Sequence, residues 1–181
     1  MRFSHVRPFL ATITLAVAVV FSAVADAGAQ AIAASPAPCA SGMHQQFGFW
    51  VGRWVVRDTS GAEIGTSEVT TEASGCALVE HWRSGNGGTG VSVNYADSSG
   101  WRQLWVGSQG GILRLAGGLV GSSMVLTGDR VTPQGPVQDR IEWTPMADGH
   151  VRQRWTTSKD GGATWQVSFV GFYERAPNAG S

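Results

Sequence analysis

The stretch ALVEHWRSGNGGTGVSVNYADSSGWRQLWVGS, residues 77–108, reads as three short runs separated by turns. The runs are rich in Val, Leu, Trp and Tyr and hold no helical period, but residues two apart share a character, which is the mark of strands. Between them, GNGGTG (85–90) and DSSG (97–100) supply the backbone freedom that tight hairpins require. The stretch is therefore two successive antiparallel hairpins.

The same pattern extends in both directions. Strands are expected over 47–58, 63–72, 77–84, 90–96, 101–108, 112–118, 123–128, 138–145, 150–158 and 164–175, with turn residues at every break. No segment keeps a helical period for three turns. Ten strands at near-regular spacing with short connections make an all-β antiparallel up-and-down meander. Closing it into a barrel removes the two edges that would otherwise invite aggregation. The barrel domain is expected over 43–176, with a short flexible leader at 32–42 and a disordered tail at 177–181.

The first residues are processing information rather than fold. Arg2, His5 and Arg7 precede an apolar run from Phe9 to Val24, and small-x-small sites end at Ala25, Ala29 and Ala31. That is the layout of a secretory signal peptide over 1–31. The apolar run falls short of the roughly 20 residues a spanning helix needs. The residues before Cys39 also lack the Leu of a lipoprotein signal. The mature chain is expected to be periplasmic or secreted, with no membrane attachment.

About 150 residues then remain, enough for one domain that buries about two-thirds of its unfolded surface. The 13 basic and 13 acidic residues balance. With no basic surplus and no charge run, nucleic acid is excluded as a partner class. Cys39 and Cys76 would both reach an oxidising compartment, where disulfides persist. Their bond is expected to tie the leading arm to the start of the third strand and to stabilise by roughly 4 kcal/mol. No CxxC, HExxH, Walker, Ser-His-Asp or Cys-His metal pattern is present, so neither a metal nor a cofactor is expected.

SKDGGATW, from Ser158 to Trp165, fits the S-x-D-x-G-x-x-W pattern of the Asp-box hairpin of sialidase-like propellers. A propeller would repeat it about every 40 to 50 residues, and here it occurs once. Its role is expected to be structural, with Asp160 bonding amides of the turn and Trp165 packing beneath it.

FWVGRW (49–54) contains Gly52-x-Trp54, and the last strand closes on Tyr173-Glu174-Arg175. This pair resembles the calycin superfamily of lipocalin-like barrels. The resemblance implies that Trp54 lies across the barrel bottom with Arg175 packed over it. The wider run, with GCALVEHW, WRQLWV, RIEWTP and SKDGGATW, is similar to uncharacterised secreted bacterial proteins of this fold, distantly nitrobindin-like. Nitrobindin-like barrels bind haem through a late histidine. Neither His81 nor His150 matches that position, His44 lies before the first strand, and haem is not expected.

Three strands repeat one arrangement, a hydrogen-bonding residue followed two positions later by tryptophan: Glu80-x-Trp82, Gln103-x-Trp105 and Gln153-x-Trp155. Residues two apart share a face of a strand. His81, Arg83, Arg102, Arg152 and Arg154 fall on the opposite faces and suit solvent, although Leu104 and Val106 share the Arg102 face. Pointed inward, the six residues make a lumen with flat aromatic walls and a few directional polar groups, the make-up of a small-molecule pocket. The expected function is binding of a small, partly apolar molecule. Two alternatives stay open: an isomerase or hydrolase using Glu80 as general acid or base, and a non-catalytic interaction scaffold. In the apolar lumen Glu80 would have a raised pKa, unless Arg114 or Arg140 pairs with it. The Gly-rich 85–90 loop lacks the context of a phosphate cradle and is expected to form a lid at one barrel mouth.

Overall fold

The computed structural model describes residues 38–177. The expected signal peptide with its cleavage sites, the leader before Pro38 and the tail after Pro177 lie outside the described residues. The described chain is all-β, in ten strands. They are β1 (Gly52–Arg57), β2 (Glu63–Glu72), β3 (Ala77–Ser84), β4 (Thr89–Asp97), β5 (Gly100–Gly107), β6 (Ile112–Val120), β7 (Ser123–Thr132), β8 (Gly135–Pro145), β9 (Val151–Ser158) and β10 (Gln166–Arg175). Every strand pairs antiparallel with its neighbour in sequence, and β1 pairs with β10 to close the barrel.

Up-and-down order sorts the connections into two ends. Loops 58–62, 85–88, 108–111, 133–134 and 159–165 form one rim. The connections 73–76, 98–99, 121–122 and 146–150 gather at the other end, where β1 begins and β10 finishes.

That second end is closed by the chain's own leading arm. The sequence reading placed a strand over 47–58, but only the portion from Gly52 is a strand; 42–45 and 48–50 form two 3-10 turns. The reason is packing. Phe47 and Trp50 leave the sheet and enter the barrel, where Phe47 stacks on Trp50 at 4.9 Å and meets Trp101 and Trp143 edge-on. Trp54 lies beside them and donates its indole N–H to the Trp50 carbonyl at 2.9 Å. Each buried indole removes on the order of 200 Å² from water, far more than strand hydrogen bonds at two frayed residues would return. Cys39 is bonded to Cys76, with Cα atoms 4.9 Å apart, so the arm is tied down from Cys39 rather than becoming fixed only near Met43.

Arg175 lies over Trp54, its guanidinium carbon 3.9 Å from the ring centroid, and donates to the Val51 carbonyl at 2.7 Å. Gly52 makes the stack possible, because a Cβ there would stand 1.9 Å from the Arg175 guanidinium.

Two further differences from the sequence reading concern β7, β8 and β10. β7 and β8 run on through 129–137 and pair as far as Thr132↔Gly135, where the sequence reading ends one strand at 128 and begins the next at 138. Pro133 sits in the two-residue turn and Pro136 at the strand start, where a missing N–H costs little. In β10 the register shifts between Val167 and Phe169. This bulge turns Phe169 inward opposite Trp155 and leaves Val167 outside, the usual way one extra residue re-aims a side chain.

Candidate functional site

The inward faces of the strands are set by alternation. β3 directs Leu78, Glu80 and Trp82 into the barrel, and β5 directs Trp101, Gln103 and Trp105. β9 contributes Gln153 and Trp155. Above the packed aromatic end, a cavity of about 110 Å³ is lined by Glu80, Trp82, Gln103, Trp105, Gln153 and Trp155 together with Leu113, Ile141, Trp143, Phe169 and Tyr173. All six residues of the polar-x-Trp pattern border this one space. His81, Arg83 and Arg154 are exposed on the outer faces. The volume is of the order that holds a single benzene-sized molecule.

The indoles are seated by glycine. Trp105 lies against Gly90 of β4 and Gly107 of its own strand; a Cβ at those positions would stand 2.7 and 2.4 Å from its ring atoms. Gly65 seats Trp82 in the same way, at 2.6 Å, and Gly171 seats Phe169 at 2.8 Å. A ring laid flat on bare backbone covers the wall with one face and turns the other to the lumen. Trp82 and Phe169 meet edge-to-face at 6.2 Å, which makes an aromatic corner. Trp82 and Trp105 also border a depression at the rim, beside Gly88 and Thr89 of the Gly-rich turn.

Glu80 is the central polar group, only 6% exposed. Its Oε1 accepts from the Ser67 hydroxyl at 2.9 Å and its Oε2 from the Ser92 hydroxyl at 3.1 Å. Ser92 in turn accepts from the Asn94 amide at 2.9 Å, and Asn94 accepts from the Gln103 amide at 2.7 Å. Donors thus run from Gln103 on β5 through Asn94 and Ser92 on β4 to Glu80 on β3, and the Asn94 amide also donates to the Leu78 carbonyl at 3.2 Å. Arg114 and Arg140 do not pair with it; both are exposed on the outer surface. Burial pushes the Glu80 pKa up to about 7, and the two serine hydrogen bonds oppose that rise. A carboxyl that titrates near neutrality can bind a cation or exchange a proton with a bound molecule.

Two further groups frame the cavity. The Tyr173 phenol donates to the Gln153 side-chain oxygen, and burial, followed by the charge of Glu80, holds its pKa well above the ordinary tyrosine value. Nearer the rim, Asp139, 1% exposed, is bonded by Arg130 at 2.6 Å and by the Trp155 indole N–H at 2.8 Å. Arg130 thus balances the charge of the buried Asp139, and the Asp139 carboxylate fixes the plane of Trp155.

Sequence reasoning did not single out Ser67, Ser92, Asn94, Asp139 and Phe169, and it named Tyr173 only as part of the closing run of the last strand. Ser92-x-Asn94 carries the same two-residue spacing and was the available signal for β4. Asp160 and Trp165 lie in the rim hairpin 159–165, away from the cavity residues. Asp160 accepts from the Thr164 hydroxyl, the Thr164 amide and the Ser158 hydroxyl, which draws its pKa down to about 2. The Trp165 N–H donates to the Gly162 carbonyl at 3.0 Å. Among the described residues, no group of three or more His, Cys, Asp or Glu is placed to hold a metal ion, and no histidine borders the cavity.

No protein-family model matches the chain, and no curated protein is significantly similar to it.

Proposed function

We propose that this protein is a secreted or periplasmic calycin-like barrel that binds a small, partly apolar molecule in its upper lumen. The observation that carries the reading is the meeting of three polar-x-Trp pairs, from β3, β5 and β9, around one cavity. Aromatic walls with a few convergent polar groups are what small-molecule sites are made of. The disulfide supports an oxidising compartment, and among the described residues no helix is long and apolar enough to cross a membrane.

Native mass spectrometry of the mature protein, prepared without denaturation, tests this. A reproducible added mass that disappears in Trp105→Ala is expected. It should be matched by a tenfold or greater loss of affinity for whichever small aromatic probe binds the wild type. Unchanged affinity in Trp105→Ala would remove the lumen from consideration.

One observation favours a second reading, an interaction surface on the outside of the barrel. Val91, Val93 and Tyr95 of β4, Leu104 and Val106 of β5 and Ile112 of β6 are each about two-fifths exposed. They are neighbours, since Val91 pairs with Val106, Val93 with Leu104, and Val106 with Ile112. Contiguous exposed apolar surface of this kind marks contact sites. Light scattering of wild type beside Leu104→Glu would show association lost in the variant; a wild type monomeric at all concentrations would exclude it.

A further inference from the structure

The chemistry around Glu80 selects among small molecules. Both carboxylate oxygens already receive hydroxyl donors, and the Ser92 hydroxyl is held in that sense by the Asn94 and Gln103 amides behind it. Such an arrangement favours the ionised form, yet among the described residues no cationic side chain faces it. Arg130 is committed to Asp139, Arg175 covers Trp54 at the closed end, and Arg114 and Arg140 are outside. With Glu80 ionised, the lumen carries one uncompensated negative charge beside indole faces laid over Gly65, Gly90 and Gly107. An anion would meet that charge, and a purely apolar guest would leave it buried and unpaired. A cation satisfies both the carboxylate and the negative faces of the rings.

We infer that the lumen takes a small organic cation, an amine or methylated ammonium group held between Glu80 and the Trp82, Trp105 and Phe169 rings. The inference rests on the ligand-binding reading above and narrows it to one class. A cavity of about 110 Å³ admits a head group of roughly half a dozen non-hydrogen atoms.

Choline and its uncharged carbon analogue, 3,3-dimethylbutan-1-ol, have nearly the same shape and differ in charge. Calorimetric titration of both into the intact mature protein should show choline binding about tenfold or more tightly at pH 8.5. That advantage should shrink severalfold by pH 5.5, where Glu80 is protonated. Among the described residues, the other ionisable groups at lumen-facing positions are Tyr173, protonated throughout this range, and the Asp139–Arg130 pair. Glu80→Gln should remove most of choline's advantage at pH 8.5. The wild-type pH comparison needs no variant, so a misfolded Glu80→Gln protein does not spare the inference. An analogue that binds as tightly as choline at both pH values overturns the cation and leaves the lumen site standing. Failure of both, together with failure of every uncharged aromatic probe, overturns the site itself.

Discussion

The two ends of the barrel use the same side chain for opposite purposes. At the closed end Trp50, Trp54, Trp101 and Trp143 are all but inaccessible and pack on one another and on Phe47. In the upper lumen Trp82, Trp105 and Trp155 stand half-buried around an open space. The difference comes from what each end has to fill it. The leading arm delivers Phe47 and Trp50 into the bottom, and no segment of the described chain enters the top. The hydrogen bonds at the closed end are mixed: Trp54 donates to the Trp50 carbonyl and Trp101 to the Gln46 side-chain oxygen. Trp50 and Trp143 leave their buried N–H groups without a protein partner, a loss of about 1–3 kcal/mol each. Burying an indole's roughly 200 Å² is worth about 5 kcal/mol, so packing prevails there. In the lumen Trp155 keeps its N–H on Asp139. A tryptophan is a filler or a wall depending on whether another segment of the chain reaches it.

The contrast is sharpest at Trp50. Replacing it with Ala should cost about 4 kcal/mol and lower the melting temperature by roughly 15 °C, since the arm cannot collapse into so large a void. A shift under 5 °C in calorimetry would mean the plug is not what closes the barrel.

Glu80 gives the next largest effect, and its sign is opposite to that of an ordinary carboxylate. Burial raises its folded pKa from 4.5 to about 7. Between those values the folded protein therefore holds a proton that the unfolded chain has released. Stability falls as pH rises through that window, by on the order of 3 kcal/mol in all. The wild type should lose about 10 °C more than Glu80→Gln between pH 4.5 and pH 8.5. Parallel curves for the two proteins would show that Glu80 is not the buried, unpaired charge described above.

The smallest effect is expected where the function is proposed. Trp105→Ala should cost about 2 kcal/mol in urea unfolding, about half the loss at Trp50, because the ring keeps one face turned to the lumen. A loss equal to that of Trp50→Ala would break the comparison, making the upper indoles core rather than a binding wall.

Much of this was legible in the chain. Turn chemistry and two-residue periodicity placed all ten strands, because hairpin order needs only local information. The polar-x-Trp faces followed from alternation alone, and solvent-suited arginines on the opposite faces marked them as inward. What alternation hid was β4. Its apolar Val91, Val93 and Tyr95 face out and its polar Ser92 and Asn94 face in, the reverse of the usual pattern. The inversion exists to serve Glu80 one strand away, and a single strand carries no record of its neighbour's needs. The arm was misread for a related reason: FGFWV suits a strand or a plug equally, and only the presence of a barrel end to fill decides between them.

Both the first and the last strand enter and leave the barrel at the closed end, where Ala176 donates to Arg53 and Arg175 reaches Val51. Among the described residues, the opposite rim is consequently built from hairpin tips alone, none of them carrying the disulfide, the plug or the seam between β1 and β10. Those tips are free to vary in length and composition, by natural drift or by loop grafting in the laboratory, while the vessel beneath them stays intact.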